Sequence, residues 1–191
     1  RGEGSGKGVY ATGVGKLTLT MTGVNISNVA MGVEATNGTL TMTNGAITFK
    51  GGKNNYGIGV GSGVTMATVT GTRITGGGQG TGVLVDGTGL TMTLNDVTIS
   101  NVSEGVWVSR GTLTMTRGSI EFKDGGFKGY GVGVYVGREV TMATLKGTTI
   151  TGTGGNGEGS KGVVMNGKTL GMSGVTIKDV AIGVEVTGGI L

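Results

Sequence analysis

The sequence predicts an all-β solenoid of parallel, three-strand coils, and three observations support this fold class. A Leu/Val-Thr-Met tripeptide recurs along the chain at intervals of 21 to 30 residues. Short alternating apolar segments flank each copy, and Gly or Asn residues separate these segments. A period of this length indicates a stack of similar units, each adding one turn to a solenoid. We therefore expect about 7–8 coils.

The first strand of each coil opens with a Gly-Val or Gly-Ile pair. An apolar residue two places after the Val or Ile continues the alternation in most copies, which is typical of a short half-buried strand. The eight pairs begin at Gly8, Gly32, Gly57, Gly82, Gly105, Gly133, Gly162 and Gly183.

The tripeptide forms the predicted second strand, with its Leu and Met side chains inside the coil and its Thr outside. If coils stack in register, like residues form files along the solenoid. The expected inward file is Met21, Met42, Met66, Met92, Met115, Met142 and Met172. The expected outward file is Thr20, Thr41, Thr65, Thr91, Thr114 and Thr141.

A third alternating segment completes each coil, from Val24-Asn25-Ile26 in the first to Val175-Thr176-Ile177 in the last. One coil in three then turns at a short Asn/Asp-Val corner, at Asn28, Asn101 and Asp179, whereas the others carry Gly-rich loops. The pattern starts and stops inside a repeat. We therefore interpret residues 1–191 as a single segment of a longer solenoid.

Composition limits the classes of function. The 46 Gly residues fall at fixed places between strands, where corners need positive φ or close backbone approach. The chain has no Cys and no His, so we predict neither a metal site nor a cofactor. The net charge of +4 is spread without a Lys/Arg block, which argues against a nucleic-acid partner. No apolar run is long enough for a transmembrane helix.

Catalytic groups are scarce, and we predict that the chain is not an enzyme. His, the commonest general base, is absent. The nearest cluster of acidic residues is Glu121 and Asp124 beside Lys123, which we interpret as a solvated turn. A glycan-active β-helix enzyme is the alternative, and it would need carboxylates converging on one face.

The outward position of the first strand suggests a contact surface. Read coil by coil, this position holds Leu84, Trp107 and Tyr135 in three consecutive coils. Val106 and Val108 are expected inside, so the intervening Trp107 is expected outside. Aromatic residues are enriched at interface hot spots. The predicted binding residues are this stripe and a basic rim, namely Leu84, Trp107, Tyr135, Arg110, Lys128 and Arg138.

The outward threonines admit two interpretations. Flat Thr arrays resemble the ice-binding faces of some β-solenoid antifreeze proteins. Thr is also simply a favourable residue on the wet face of a strand.

The Gly-Val openings, Leu-Thr-Met strands, Gly/Asn turns and absence of Cys together resemble passenger domains of Gram-negative autotransporters. The resemblance covers the whole chain and rests on repeat style. It is closest to autotransporters of alphaproteobacteria that infect red cells and endothelium, including the CAMP-like-factor and angiogenic autotransporters. It implies a right-handed parallel β-helix and a location on the bacterial surface or outside the cell. No functional residue transfers, because the family has no common site.

The expected function is a non-catalytic virulence module that contacts a host-cell receptor or glycan through loops and the aromatic stripe. Host antibodies are a further expected class of partner for such a surface antigen. The alternatives are a secreted growth-factor-like ligand for an endothelial receptor, the glycan-active enzyme and the Thr-array ice-binding protein.

Overall fold

A computed structural model describes residues 6–13, 15–124, 129–153 and 159–189. These residues form 17 strands. They are β1 (Lys7–Ala11), β2 (Thr18–Thr22), β3 (Asn25–Val29), β4 (Met31–Thr43), β5 (Ala46–Phe49), β6 (Tyr56–Thr70), β7 (Arg73–Thr75), β8 (Thr81–Asn95), β9 (Thr98–Val102), β10 (Glu104–Thr116), β11 (Ser119–Phe122), β12 (Val132–Lys146), β13 (Thr149–Gly152), β14 (Lys161–Met165), β15 (Leu170–Ser173), β16 (Thr176–Lys178) and β17 (Ile182–Val186).

The strands form two sheets in which neighbouring strands are parallel and one turn of chain apart. The ten-stranded sheet has the order β1-β4-β6-β8-β10-β12-β14-β17, with β2 beside β4 and β15 beside β12. The seven-stranded sheet has the order β16-β13-β11-β9-β7-β5-β3. Val83 thus pairs with Ile58 on one side and Val106 on the other. The predicted parallel solenoid is confirmed, with about seven turns.

The first two strands of the central coils are continuous, which differs from the three separate strands that we expected. β4, β6, β8, β10 and β12 are each 13 to 15 residues long. The ladder shifts register at the corner, for example between Ala35 and Asn37, and then resumes. A bulge of this kind bends a strand without ending its pairing. Each coil therefore consists of one long bent strand and one short strand.

Inward side chains of successive coils stack in files, as expected, but the methionines do not form one file. One inner file is Leu19, Leu40, Ala67, Met92, Leu113, Ala143 and Leu170. The next is Met21, Met42, Val69, Leu94, Met115, Leu145 and Met172. Met66 and Met142 are 54% and 53% exposed, so their assignment to the core was wrong.

The cause is a shift of the tripeptide against the ladder in three coils, and in two of these coils the shift turns the Met side chain outward. After Val64, both Thr65 and Met66 face outward, and Ala67 and Val69 provide the inward alternation instead. In β12, the same shift directs the side chains of Ala143 and Leu145 into the core. Two inward positions can be filled equally well by Leu-x-Met or by Ala-x-Val, so burial does not require the tripeptide to stay in register.

The same shift changes the outward Thr file. The observed file is Thr20, Thr41, Thr68, Thr93, Thr114 and Thr144, so Thr65, Thr91 and Thr141 do not belong to it. Thr91 instead lies in a neighbouring file with Met66. The threonines of successive coils do lie side by side, although the members of the file differ from those expected.

The seven-stranded sheet contributes a file of isoleucines to the core. It contains Ile26, Ile47, Ile74, Ile99, Ile120, Ile150 and Ile177. These side chains explain the Gly that opens every coil but the last, where a Cβ on Gly183 would meet no other atom within 4 Å. A Cβ on Gly82 would lie 2.5 Å from Ile99 Cγ2 and 2.6 Å from the carbonyl oxygen of Gly105. Only Gly permits this close approach of the bent strand to the short one.

The short Asn/Asp-Val corners are left-handed. Asn28, Asn101 and Asp179 have φ values of 59°, 54° and 57°. Asn and Asp tolerate this conformation better than other non-Gly residues do. A second left-handed position precedes the short strand in every coil, and Arg117 occupies it with φ 58°. Its guanidinium bonds Asp96 of the preceding coil through two 2.7 Å contacts.

Candidate binding groove

Register stacking brings the predicted stripe together on the outer face of the ten-stranded sheet. Trp107 pairs with Leu84 of the preceding coil and Tyr135 of the following coil. Val106 and Val108, which flank Trp107, are 1% and 0% exposed. The alternation of the strand therefore points Trp107 outward, where it is half-buried.

The two rings are stacked. Their centroids are 3.9 Å apart and their planes differ by 13°. Because the stack follows the strand ladder, one face of the Trp107 ring is covered by Tyr135 and the other faces the coil of Leu84. The Tyr135 hydroxyl accepts a 3.1 Å hydrogen bond from Asn166 Nδ2. These contacts hold the aromatic pair in one orientation.

A depression of about 370 Å³ lies on the Tyr135 side of the stack. Its lining consists of Asp86, Trp107, Ser109, Arg110, Tyr135, Gly137, Arg138 and Glu139. Two predicted rim residues, Arg110 and Arg138, are therefore adjacent to the stripe. Arg110 Nε lies 3.5 Å from Asp86 and 3.2 Å from Glu139, so it links carboxylates of the two neighbouring coils.

A second depression, of about 400 Å³, lies on the Leu84 side. Its lining is Lys53, Asn54, Asn55, Tyr56, Thr81, Leu84, Glu104 and Trp107. The Thr81 hydroxyl donates a 2.7 Å hydrogen bond to the Glu104 carboxylate. Asn55 Nδ2 donates to the carbonyl oxygens of Lys50 and Gly51 at 2.9 and 3.2 Å, which fixes the loop before β6.

The far wall of the second depression is the ring of Tyr56. A Cβ on Gly59 would lie 2.5 Å from Tyr56 Cε2, so the ring lies directly over Gly59. Gly59 occupies the same outward file as Leu84 and Trp107. Burial, together with the carboxylate of Glu34, raises the pKa of the Tyr56 phenol above its ordinary range. The hydroxyl therefore stays protonated, with the Glu34 carboxylate as its side-chain hydrogen-bond partner.

Ion pairs mark both ends of this outward file. Near the N-terminal end, Lys7 Nζ lies 2.5 Å from Glu34 and 3.8 Å from the centroid of the Tyr10 ring. Near the C-terminal end, Lys161 pairs with Glu185. The hydrogen bond to Glu185 raises the pKa of Lys161. The apolar and aromatic part of the file therefore lies between two charged ends.

We call the aromatic stack and the two depressions beside it the groove. The sequence predicted the aromatic stripe and two arginines of the groove, but not the other residues around Leu84. Leu84, Trp107, Tyr135, Arg110 and Arg138 all line one of the two depressions. Lys128 lies outside the described residues. Tyr56, Glu104 and the loop 53–55 were missed because they precede the outward position in their own coils. Their signal was Gly59, since a Gly in the outward position of a strand indicates close approach by another group.

The acidic cluster considered for catalysis is part of a turn. Asp124 Oδ1 accepts a 3.2 Å hydrogen bond from the backbone N–H of Gly131. Glu121 is an exposed residue of β11. Among the residues that the structure describes, no group of three or more acidic, His or Cys side chains is placed to hold a metal ion.

Comparison with known proteins gives a family and no individual relative. The family model described as "Right handed beta helix region" matches residues 7–177. No curated protein and no solved structure matches the chain significantly. Within the described part of the chain, no helix is long and apolar enough to cross a membrane.

Proposed function

The chain belongs to the right-handed β-helix family, and we propose that it is a non-catalytic recognition module of an autotransporter passenger, displayed on or released from a bacterial cell. The repeat style supports the passenger role, since Gly-Val openings and Leu-Thr-Met strands without Cys resemble that class. The module contacts host cells, and host antibodies are a second class of partner for a surface antigen of this kind.

The observation that carries the proposal is the aromatic stack between two open depressions. Trp107 faces outward and is not part of the packed hydrophobic core. Core packing therefore does not explain a Trp at this position. Trp, Tyr and Arg are the residues most enriched at binding hot spots. All three types occur here, on neighbouring coils, held by stacking and by ion pairs.

The carboxylates at the groove support a binding role over a catalytic one. The Asp86 and Glu139 side chains are 55% and 68% exposed, and both pair with Arg110. A general acid of a glycosidase needs an apolar site that favours its protonated form. Glu104 accepts the hydrogen bond from Thr81 and is engaged structurally. Incubation with polyuronates and sulfated polysaccharides, with and without calcium, should release no reducing ends.

The test is cell binding by the purified chain. Labelled protein is added to red cells and endothelial cells, and bound label is measured by flow cytometry. Trp107→Ala should reduce binding at least tenfold, because it removes the centre of the stack. Tyr10→Ala is the matched control, since Tyr10 occupies the same file and is 51% exposed. Equal binding by Trp107→Ala and wild type, with circular dichroism showing that both are folded, would refute a role of the aromatic stack in cell binding.

The secreted-ligand alternative predicts signalling as well as attachment. If the chain acts as a growth-factor-like ligand, soluble protein should raise phosphorylation of an endothelial receptor. An adhesin would attach to the same cells without that response. The same Trp107→Ala variant serves both assays, so the two roles are separated by their readouts.

The Thr face gives a second candidate function. Its central file is unbroken over six coils, from Thr20 to Thr144. Regularly spaced hydroxyl and methyl groups are the chemistry expected of an ice-binding surface, although Met66 and Met142 interrupt the neighbouring file. Thermal hysteresis decides this candidate: a measurable gap between melting and freezing points would support it, and none would dismiss it.

A further inference from the structure

We propose that Met66 and Met142 form an oxidant-responsive modification site on the Thr face. At this site hydrogen peroxide converts both thioethers to sulfoxides while the solenoid stays folded, so the polarity of the face changes reversibly. The site lies on the second half of the long strands, away from the aromatic groove. The inference therefore does not depend on the proposed contact with host cells.

The first argument is the contrast in exposure among the nine methionines of the chain. Met66 and Met142 are 54% and 53% exposed. The methionines that are buried in the core are Met21, Met42, Met92, Met115 and Met165, and all of them except Met21 are 0% exposed. An oxidant must reach the sulfur atom before it can react. We therefore expect two fast sites among these seven residues.

The second argument is that the backbone fixes the two side chains outward. The ladder between β4 and β6 skips Thr65, so Thr65 and Met66 both face water. The ladder between β10 and β12 skips Thr141 in the same way. The next residue of each strand is a buried Ala, which already occupies the inward position. Met66 and Met142 therefore cannot turn into the core without a change of register.

The third argument is the chemistry of the neighbouring side chains. Met66 lies between Thr39 and Thr91 in its file, and Met142 lies beside Thr112. Thr91 and Thr112 pair with each other, so the two Met positions are three coils, or about 14 Å, apart. A sulfoxide oxygen accepts hydrogen bonds, and Thr hydroxyls donate them. Oxidation therefore replaces two apolar interruptions of the file by polar groups that match their neighbours.

The reaction itself needs no group from the protein besides the thioether. A sulfur lone pair attacks one oxygen of hydrogen peroxide, and the O–O bond breaks. The departing hydroxide takes the proton from the oxygen now on sulfur, which leaves a sulfoxide and water. Sulfur is oxidised by two electrons and the peroxide is reduced by two. Methionine sulfoxide reductases reverse the change, with one enzyme for each sulfoxide epimer.

The same modification in the core would disrupt the solenoid. Met92 is fully buried between Ala67 and Leu113 of the neighbouring coils. A sulfoxide at this position would bury a polar oxygen among apolar side chains, which is strongly unfavourable. Confinement of the reaction to the outer face is therefore what allows the chain to be oxidised and reduced again without unfolding.

The experiment is a time course of the whole chain in hydrogen peroxide. Samples are quenched with excess free methionine and digested, and mass spectrometry measures the gain of oxygen at each Met. Met66 and Met142 should react at least tenfold faster than Met92. The same chain in concentrated urea is the control, and there all nine methionines should react at similar rates. Equal rates for Met66 and Met92 in the folded chain would overturn the proposal.

A second measurement tests the effect on fold and surface. The doubly oxidised chain should keep its circular dichroism spectrum and urea midpoint, and it should elute earlier in hydrophobic interaction chromatography. The matched control is the double variant Met66→Leu and Met142→Leu, which keeps apolar side chains of similar volume but has no thioether at either position. Peroxide should not change its elution. Unfolding of the oxidised wild type, or the same change of elution in the variant, would contradict the proposal.

A third measurement tests reversibility. Both methionine sulfoxide reductases, with dithiothreitol as the reductant, should return the oxidised chain to its original elution position. Sulfoxides that persist at Met66 and Met142 in the folded chain, while the same enzymes reduce them in its digested peptides, would refute the reversible change of polarity.

Discussion

Replacing Gly82 by Ala tests how closely the two sheets approach. The added Cβ would lie 2.5 Å from Ile99 Cγ2 and 2.6 Å from the Gly105 carbonyl oxygen. That oxygen belongs to the backbone of the next coil and cannot move without disturbing its ladder. Overpacking of this kind costs about 1–3 kcal/mol, and the lower entropy of the unfolded chain returns about 0.4–1 kcal/mol. We expect a net loss of about 1 kcal/mol.

Gly171→Ala is the matched control. Gly171 lies in β15 at an outward position, and no other atom lies within 4 Å of the Cβ that Ala would add. The same substitution should therefore be neutral or stabilise by about 0.5 kcal/mol. Urea unfolding followed by circular dichroism and by Trp107 fluorescence measures both variants. A Gly82→Ala variant as stable as wild type would refute the close approach that we assign to the opening glycines.

Three further predictions follow from the register and the corners. Met92→Ala should cost about 3 kcal/mol because Met92 is fully buried, whereas Met66→Ala, in the corresponding Val-Thr-Met tripeptide, should change stability by less than about 0.5 kcal/mol. Arg117→Gly should be more stable than Arg117→Ala by about 1 kcal/mol, since φ at this position is 58°. The bidentate bond from Arg117 holds the pKa of Asp96 below its ordinary value, so Arg117→Ala should raise that pKa in a carboxyl-carbon NMR titration.

The sign of the pH effect follows from the lowered pKa of Asp96. The ion pair contributes to stability above the ordinary carboxyl pKa, and the contribution is lost as pH falls through the lowered value. Arg117→Ala should therefore lose part of the acid dependence of stability. Equal costs for Met92→Ala and Met66→Ala would show that the tripeptides stack like on like, and equal stability of the two Arg117 variants would refute the strained corner.

The fold could be predicted because its determinants repeat. Each coil has its own opening Gly, its own alternation of inward and outward residues and its own corner. A wrong assignment in one repeat can therefore be corrected by comparison with the other repeats. The left-handed Asn28 and Asn101 corners and the Ile99 file follow directly from local residue types. The exact register does not, because Ala67 and Val69 fill the inward positions as well as a Leu-x-Met segment would.

The groove could be predicted only where the strand itself provides the residues. Trp107 and its neighbours in the file follow from alternation and period. Tyr56 reaches over Gly59 from the start of its own strand, and Glu104 is held by Thr81 of another coil. Such contacts depend on side-chain directions at the corner, which the repeat pattern does not encode.

The register of successive coils is the central claim, since the adjacency of Leu84, Trp107 and Tyr135 depends on it. Methyl NOE spectroscopy on chain labelled at Met, Ala and Leu methyl groups tests it most directly. We predict cross-peaks from the Met92 methyl to those of Ala67 and Leu113, its neighbours in the inner file. A cross-peak between Met92 and Met66, without one to Ala67, would contradict the account.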